Sequence, residues 1–159
     1  MNIKILCIGN LKEKYWKDAV LEYSKRLSSY CNLEINEQKE ARLPTNASLA
    51  DEKNVLSTEG QSLLKAINNT DYVIALDVKG KKLSSESLST KLSDLGTNGN
   101  SDLVFVIGGS LGLSQEILER SNLKLSFSDM TFPHQMMRVI LLEQIYRAYK
   151  IMKNEPYHK

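Results

Sequence analysis

The sequence predicts an α/β domain built on a largely parallel sheet with helices on both faces. Short continuous apolar runs, such as residues 3–8 and 103–107, alternate with longer amphipathic stretches. Strands buried on both faces read this way, and the stretches between them are long enough for crossover helices. The 159 residues suit one domain, and no linker, repeat or low-complexity segment divides them, so residues 1–159 are expected to fold as a unit.

Each element has its own signal. Residues 3–8 read as a buried strand, and residues 13–30 as a helix with Trp16, Ala19, Val20, Tyr23 and Leu27 on one face. A weaker strand follows at 33–37, then a helix over 47–67 with Val55, Leu56, Leu63 and Leu64 directed inward. Residues 72–76 form a short apolar strand, ended by the turn signal Lys79-Gly80. A polar helix over 85–95 leads to the loop Gly96-Thr97-Asn98-Gly99 and the strand 103–107, which Gly108-Gly109 breaks. Ser114 caps a short helix with Glu116 in its first turn. Residues 123–127 form the last strand, and Pro133 opens a long helix that runs to about Met152 before Asn154-Glu155-Pro156 ends it. That helix is apolar around nearly its whole circumference, so one side is expected to cover the sheet and the other a second subunit.

Composition narrows the function. With 42% hydrophobic and 25% charged residues the chain is an ordinary globular one. The opening apolar run is too short for a signal peptide and no stretch approaches a membrane span, so a cytoplasmic location without membrane contact is expected. Cys7 and Cys31 read as reduced, interior thiols. The net charge of +2 carries little information, but residues 132–159 hold five basic residues against two acidic ones. A polyanion site would therefore involve the C-terminal segment, unless those charges only solvate a helix face.

Several motifs are absent. Gly108-Gly109-Ser110-Leu111-Gly112 is not the dinucleotide fingerprint, Gly80-Lys81 lacks the upstream glycine of a P-loop, and there is no nucleophile elbow. The two histidines lie 24 residues apart with no ligand spacing, so no metal is expected. Polar turns at three strand ends remain: Leu76-Asp77, Ile107-Gly108-Gly109 and residues 126–132. Ligands of open parallel sheets bind beyond the carboxyl ends of the strands, so these turns can line one small-molecule pocket.

Three blocks carry a family resemblance. They are Ala75-Leu76-Asp77 with Gly80-Lys81, then Val106-Ile107-Gly108-Gly109-Ser110-Leu111-Gly112-Leu113-Ser114, then Leu125-Ser126-Phe127-Ser128-Asp129-Met130-Thr131-Phe132-Pro133-His134 with Arg138 and Tyr146-Arg147-Ala148. The close Asn154-Glu155-Pro156-Tyr157-His158 completes the pattern. In this order and over its whole length the chain resembles the ribosomal RNA large subunit methyltransferase H family, a small branch of the SPOUT methyltransferases. The resemblance implies an α/β fold with a C-terminal trefoil knot, a homodimer, and S-adenosylmethionine as methyl donor. It implies methylation of N3 of a pseudouridine in 23S rRNA, with the assembled 70S ribosome as substrate.

The same resemblance assigns roles. Leu76, Gly108, Phe127, Ser128, Asp129, Met130, Thr131 and Phe132 would hold the cofactor, with close backbone approach at Gly108 and Gly109. Asp129 would favour the sulfonium charge or cap a turn. His158, Arg147 and Tyr157 are the catalytic candidates, and the tail that carries two of them would reach the partner's pocket. Arg147 would clamp a phosphate or a uracil-like carbonyl, or pair with Glu143 one turn earlier. Arg138 and Lys159 are the RNA-contact candidates. Lys159 stands where the family commonly has Arg, which keeps the charge and loses the bidentate fork. His134 is expected to support its turn. Rival readings are a methyltransferase of this fold acting on another RNA, a non-catalytic binding module, and a nicotinamide enzyme.

Overall fold

The structure, a computed structural model, describes residues 1–159. Its elements run β1 (Asn2–Ile8), α1 (Lys14–Leu27), β2 (Asn32–Gln38), α2 (Leu49–Lys65), β3 (Tyr72–Lys82), α3 (Ser85–Thr97), β4 (Asp102–Ile107), α4 (Gln115–Arg120), β5 (Leu123–Ser126) and α5 (His134–Met152). All five strands are parallel, in the order β2-β1-β4-β3-β5. The central strand β4 and its neighbour β1 are the most apolar, as full burial on both faces requires.

Strand alternation sorts the core into two layers. Ile3, Ile5, Cys7, Ile74, Leu103, Phe105 and Ile107 share one cluster with buried residues of α1, α3 and α5. Leu6, Ile8, Val73, Val104 and Val106 point the other way, against Leu63 of α2 and Ile117 of α4. The helices start where the sequence offers a cap. Ser48 and Asp51 form a reciprocal capping box for α2, and Ser84 and Ser114 accept first-turn N–H groups of α3 and α4. Burial pushes the Cys7 thiol up to about 11, so it stays protonated in the core. No helix is long and apolar enough to cross a membrane.

Two local expectations are corrected. The helix α3 runs through Gly96 to Thr97 instead of ending at Leu95. Lys79-Gly80 does not end β3: residues 77–80 bulge, Leu76 and Lys81 both stand opposite Leu125, and pairing resumes through Lys82. Gly80 is required there, because a Cβ would sit 2.7 Å from the Lys124 carbonyl carbon.

The helix α5 buries Leu141, Leu142, Ile145, Ala148 and Tyr149 against the sheet. Met136, Ile140, Glu143 and Arg147, at helical spacing on another side, stay half-buried. Arg138 is also buried, at 1% exposure. Its Nη1 donates to Glu37 Oε1 (2.5 Å) and its Nη2 to the carbonyls of Ile8 (3.0 Å) and Gly9 (2.5 Å). Arg138, a candidate RNA contact in the sequence, is enclosed in this chain, where its guanidinium ties α5 to the ends of β1 and β2. Because removal leaves Glu37 and two carbonyls without that donor, Arg138→Ala should lower stability by about 3–5 kcal/mol. Urea unfolding monitored by circular dichroism measures it; a loss under about 1 kcal/mol would reduce the anchor to the level of a surface ion pair.

Candidate functional site

A cavity of about 290 Å³ lies beyond the carboxyl ends of β3, β4 and β5. Each wall follows from a local break in regular structure. Leu76, Asp77 and Val78 come from the start of the β3 bulge, and Ile107 to Ser110 with Gly112 from the turn after β4. Leu125, Phe127, Ser128, Met130, Thr131 and Phe132 come from β5 and the segment after it, and His134 and Met137 from the first turn of α5.

The turn after β4 is tight because of its glycines. The Gly112 N–H donates to the Gly109 carbonyl (3.1 Å), and Gly112 takes a φ of 82°. A side chain on Gly108 would collide with the Gly112 carbonyl, so the turn closes only with glycine at 108. Glu59, at 4% exposure, lies behind Gly109; desolvation raises its pKa, while its Oε1 accepts from the Ala41 N–H (3.0 Å). After β5 the Ser126 hydroxyl donates to the Ser128 carbonyl (3.1 Å), and the Ser128 hydroxyl accepts from the Met130 N–H (3.0 Å). The outcome is an apolar slot rimmed by backbone polar groups. Such a surface suits a flat heterocycle whose edge is read by N–H and C=O groups.

Other hollows have a different character. One of about 240 Å³ at the opposite end of the sheet is lined by Asn2, Lys4, Glu34, Asp71 and Asp102 among others, and offers little apolar wall. A wide groove beside Cys31 is shallow and rimmed by serines and asparagines. No group of three or more His, Cys, Asp or Glu side chains is placed to hold a metal ion.

Seven of the eight residues assigned to the cofactor line the cavity: Leu76, Gly108, Phe127, Ser128, Met130, Thr131 and Phe132. Asp129 does not. Its carboxylate is exposed and pairs with Lys82 beyond the bulge, so it is turned out of the slot. Val78, Ser110, Leu125, His134 and Met137 are lining residues that the sequence reading did not assign. His134 and Met137 are three apart on α5, so the expected helix start after Pro133 already placed them on one face.

The catalytic candidates form a cluster of their own and do not line the cavity. Glu143 Oε1 accepts from Arg147 Nε (2.9 Å) and Nη2 (2.6 Å), while its Oε2 accepts from the Tyr157 hydroxyl (2.8 Å). The Arg147 guanidinium lies 4.6 Å from the Tyr157 ring centroid. Burial, then Glu143, raises the Tyr157 pKa, which keeps the phenol a proton donor. His158 lies between Arg147 and Glu86, and Lys159 is exposed at the end of the chain. Of the two readings of Arg147, the pair with Glu143 is present, and Nη1 lies 3.3 Å from His158 Nδ1 of the tail.

A solved structure of a probable methylase family protein from Haemophilus influenzae Rd KW20 superposes with a TM-score of 0.58 at 12% identity, covering 99% of this chain and 70% of that one. At that identity the likeness concerns the fold alone. The ribosomal RNA large subunit methyltransferase H of Clostridium novyi (strain NT) is 60% identical to this chain over 159 residues, the full length of both. The protein of the same name from Clostridium acetobutylicum is 55% identical, again over all of both chains. The family described as "Predicted SPOUT methyltransferase" matches residues 1–158. The chain therefore belongs to the ribosomal RNA large subunit methyltransferase H family of SPOUT methyltransferases.

Proposed function

We propose that this chain is an S-adenosylmethionine-dependent methyltransferase that modifies N3 of a pseudouridine in 23S rRNA. Its substrate in this reading is the assembled 70S ribosome, its working form a cytoplasmic homodimer, and its C-terminal segment closes a trefoil knot. The observation that carries the reading is the slot at the ends of β3, β4 and β5, lined by all three sequence blocks that bear the family resemblance.

The slot fits the cofactor in kind. Leu76, Leu125 and Phe132 would cover the faces of an adenine, and the backbone after β5 would read its edge. Gly108 leaves no side chain on that wall. When bound, the cofactor supplies an electrophilic methyl group on a sulfonium. The chain's own part is to align that methyl with N3, exclude water, and receive the N3 proton. Asp129, paired with Lys82, is left out of this scheme.

Arg147, Tyr157 and His158 stand together on α5 and the tail, away from their own cavity. The half-buried stripe Met136, Ile140, Glu143 and Arg147 offers a face for a second copy. A site shared by two chains, cavity from one and tail from the other, reconciles these positions. Lys159, exposed at the tail's end, would meet the RNA phosphates. The near-neutral charge suits a target presented by the ribosome better than naked RNA.

Transfer of labelled methyl from S-adenosylmethionine should reach unmodified 70S particles, at a pseudouridine N3 mapped by mass spectrometry, in preference to isolated large subunits or protein-free rRNA. Cofactor binding without incorporation into any of them would sink the substrate assignment. Gly108→Ala should weaken cofactor affinity about tenfold or more by calorimetry, a change of about 1.4 kcal/mol. Mixed dimers then test sharing: one chain carries Gly108→Ala, the other lacks residues 157–159. With S-adenosylmethionine held well below the Kd of the Gly108→Ala cavity, about half the wild-type rate is expected, because one composite site survives; about a tenth of that rate or less would mean each tail serves its own cavity.

A further inference from the structure

The cluster on α3, α5 and the tail contains one residue that the proposed chemistry does not yet use. Glu86 lies in the first turn of α3, where the helix N-terminus favours an anion. Its own backbone N–H, then His158 and Ser84, hold the carboxyl down at about 2, so it is charged at neutral pH. Two hydrogen bonds index α3 against α5: Ser85 Oγ to Gln144 Oε1 (2.6 Å) and Ser89 Oγ to the Ala148 carbonyl (2.9 Å). They place Glu86 where the tail returns along α5.

The imidazole of His158 sits between two groups of opposite character. Its Nδ1 is 3.3 Å from Arg147 Nη1 and its Nε2 is 2.9 Å from Glu86 Oε1. A guanidinium has only donors, so Nδ1 must accept; a carboxylate has only acceptors, so Nε2 must carry the proton and donate. One neutral tautomer satisfies both neighbours. The ring is also kept from drifting, because Glu143 holds Arg147 and Tyr157 together and the Tyr157 ring packs edge-on against Tyr146, 5.0 Å between centroids.

We infer that Glu86 is a positioning residue for the methyl transfer: it fixes His158 as the Nε2–H tautomer and leaves the Nδ1 lone pair, shielded by Arg147, as the acceptor for the substrate proton. This rests on the catalytic role proposed above for His158. On substrate binding Arg147 Nη1 turns from Nδ1 to a uracil-like carbonyl or a phosphate, and the lone pair is uncovered. The N3 proton passes to Nδ1, the electron pair left on N3 takes up the methyl as the carbon–sulfur bond breaks, and the proton later leaves to water. The imidazolium formed in between lies against the Glu86 carboxylate, which stabilises it as the carboxylate of a Ser-His-Asp triad stabilises its histidine.

The protein has only two histidines, His134 and His158, so imidazole nitrogen spectra of the ¹⁵N-histidine-labelled dimer resolve the tautomer directly. His158 should show a pyridine-like Nδ1 and a pyrrole-like Nε2. In Glu86→Ala these two signals should move toward a tautomer average while those of His134 stay in place. The kcat should fall about tenfold, with KM for S-adenosylmethionine unchanged. Glu86→Gln still offers an oxygen to Nε2–H, so it should restore the tautomer while recovering only part of the rate. Unchanged His158 signals in Glu86→Ala would overturn the inference whatever the rate. Full turnover by His158→Ala would remove the role on which it rests, whereas an inactive His158→Ala beside a Glu86→Ala enzyme of wild-type spectrum and rate overturns Glu86 alone.

Discussion

The enclosed guanidinium of Arg138 is the constraint on which the site depends. The chain leaves β5 at one edge of the sheet, yet α5 begins beside the ends of β1 and β2 on the far side. To hold it there the fold must satisfy the carbonyls of Ile8 and Gly9, which lie where β1 ends. A planar cation with forked donors reaches the Glu37 carboxylate from one nitrogen and two carbonyls from the other in a fixed geometry, where a lysine offers one point charge on a flexible stem. Lys12 adds to this attachment, its backbone N–H donating to Gln135 Oε1 (2.9 Å).

From that fixed point α5 serves two surfaces. Its first turn closes the cavity through His134 and Met137, and its later turns carry Glu143 and Arg147 on the outer side. The segment after β5 is therefore stretched between two anchored elements, Ser126 in the sheet and Arg138 beneath the β1 end. Local hydrogen bonds, one donated by the Ser126 hydroxyl and one accepted by the Ser128 hydroxyl, then shape it into the lip of the slot. The same arrangement separates the cavity from the tail within one chain, and the proposed two-chain site would bridge that separation.

Glu143 organises the tail much as Arg138 organises the fold. One carboxylate, mostly buried, spends one oxygen on Arg147 and the other on Tyr157. The pair on Arg147 is an ordinary one-turn ion pair and contributes little by itself. Its consequence is geometric, because it orders a guanidinium beside an aromatic ring and brings His158 between Arg147 and the start of α3. Tyr23 and Tyr30 meet Tyr146 edge-on and Tyr30 stacks on Tyr149, which stiffens this end of α5.

Much was legible in the residues themselves. Alternating apolar runs and capped amphipathic stretches determined all ten elements and the parallel sheet, because burial on both faces and hydrogen bonding within a helix are local demands. Blocks at three strand ends determined the cavity wall, since loops at one end of a parallel sheet converge whatever the strand order. What the sequence could not decide are matters of long-range partnership. Arg138 and Arg147 read alike as basic residues on one helix, and only packing enclosed the first against β1 while leaving the second beside the tail. Lys79-Gly80 read as a turn, and only the neighbouring β5 showed that the strand bulges and resumes. Asp129 read equally as a pocket carboxylate or a turn cap, and only the fold set it beside Lys82, 47 residues earlier. A side chain's type is written in the sequence; the groups that compete for it are brought there by the fold.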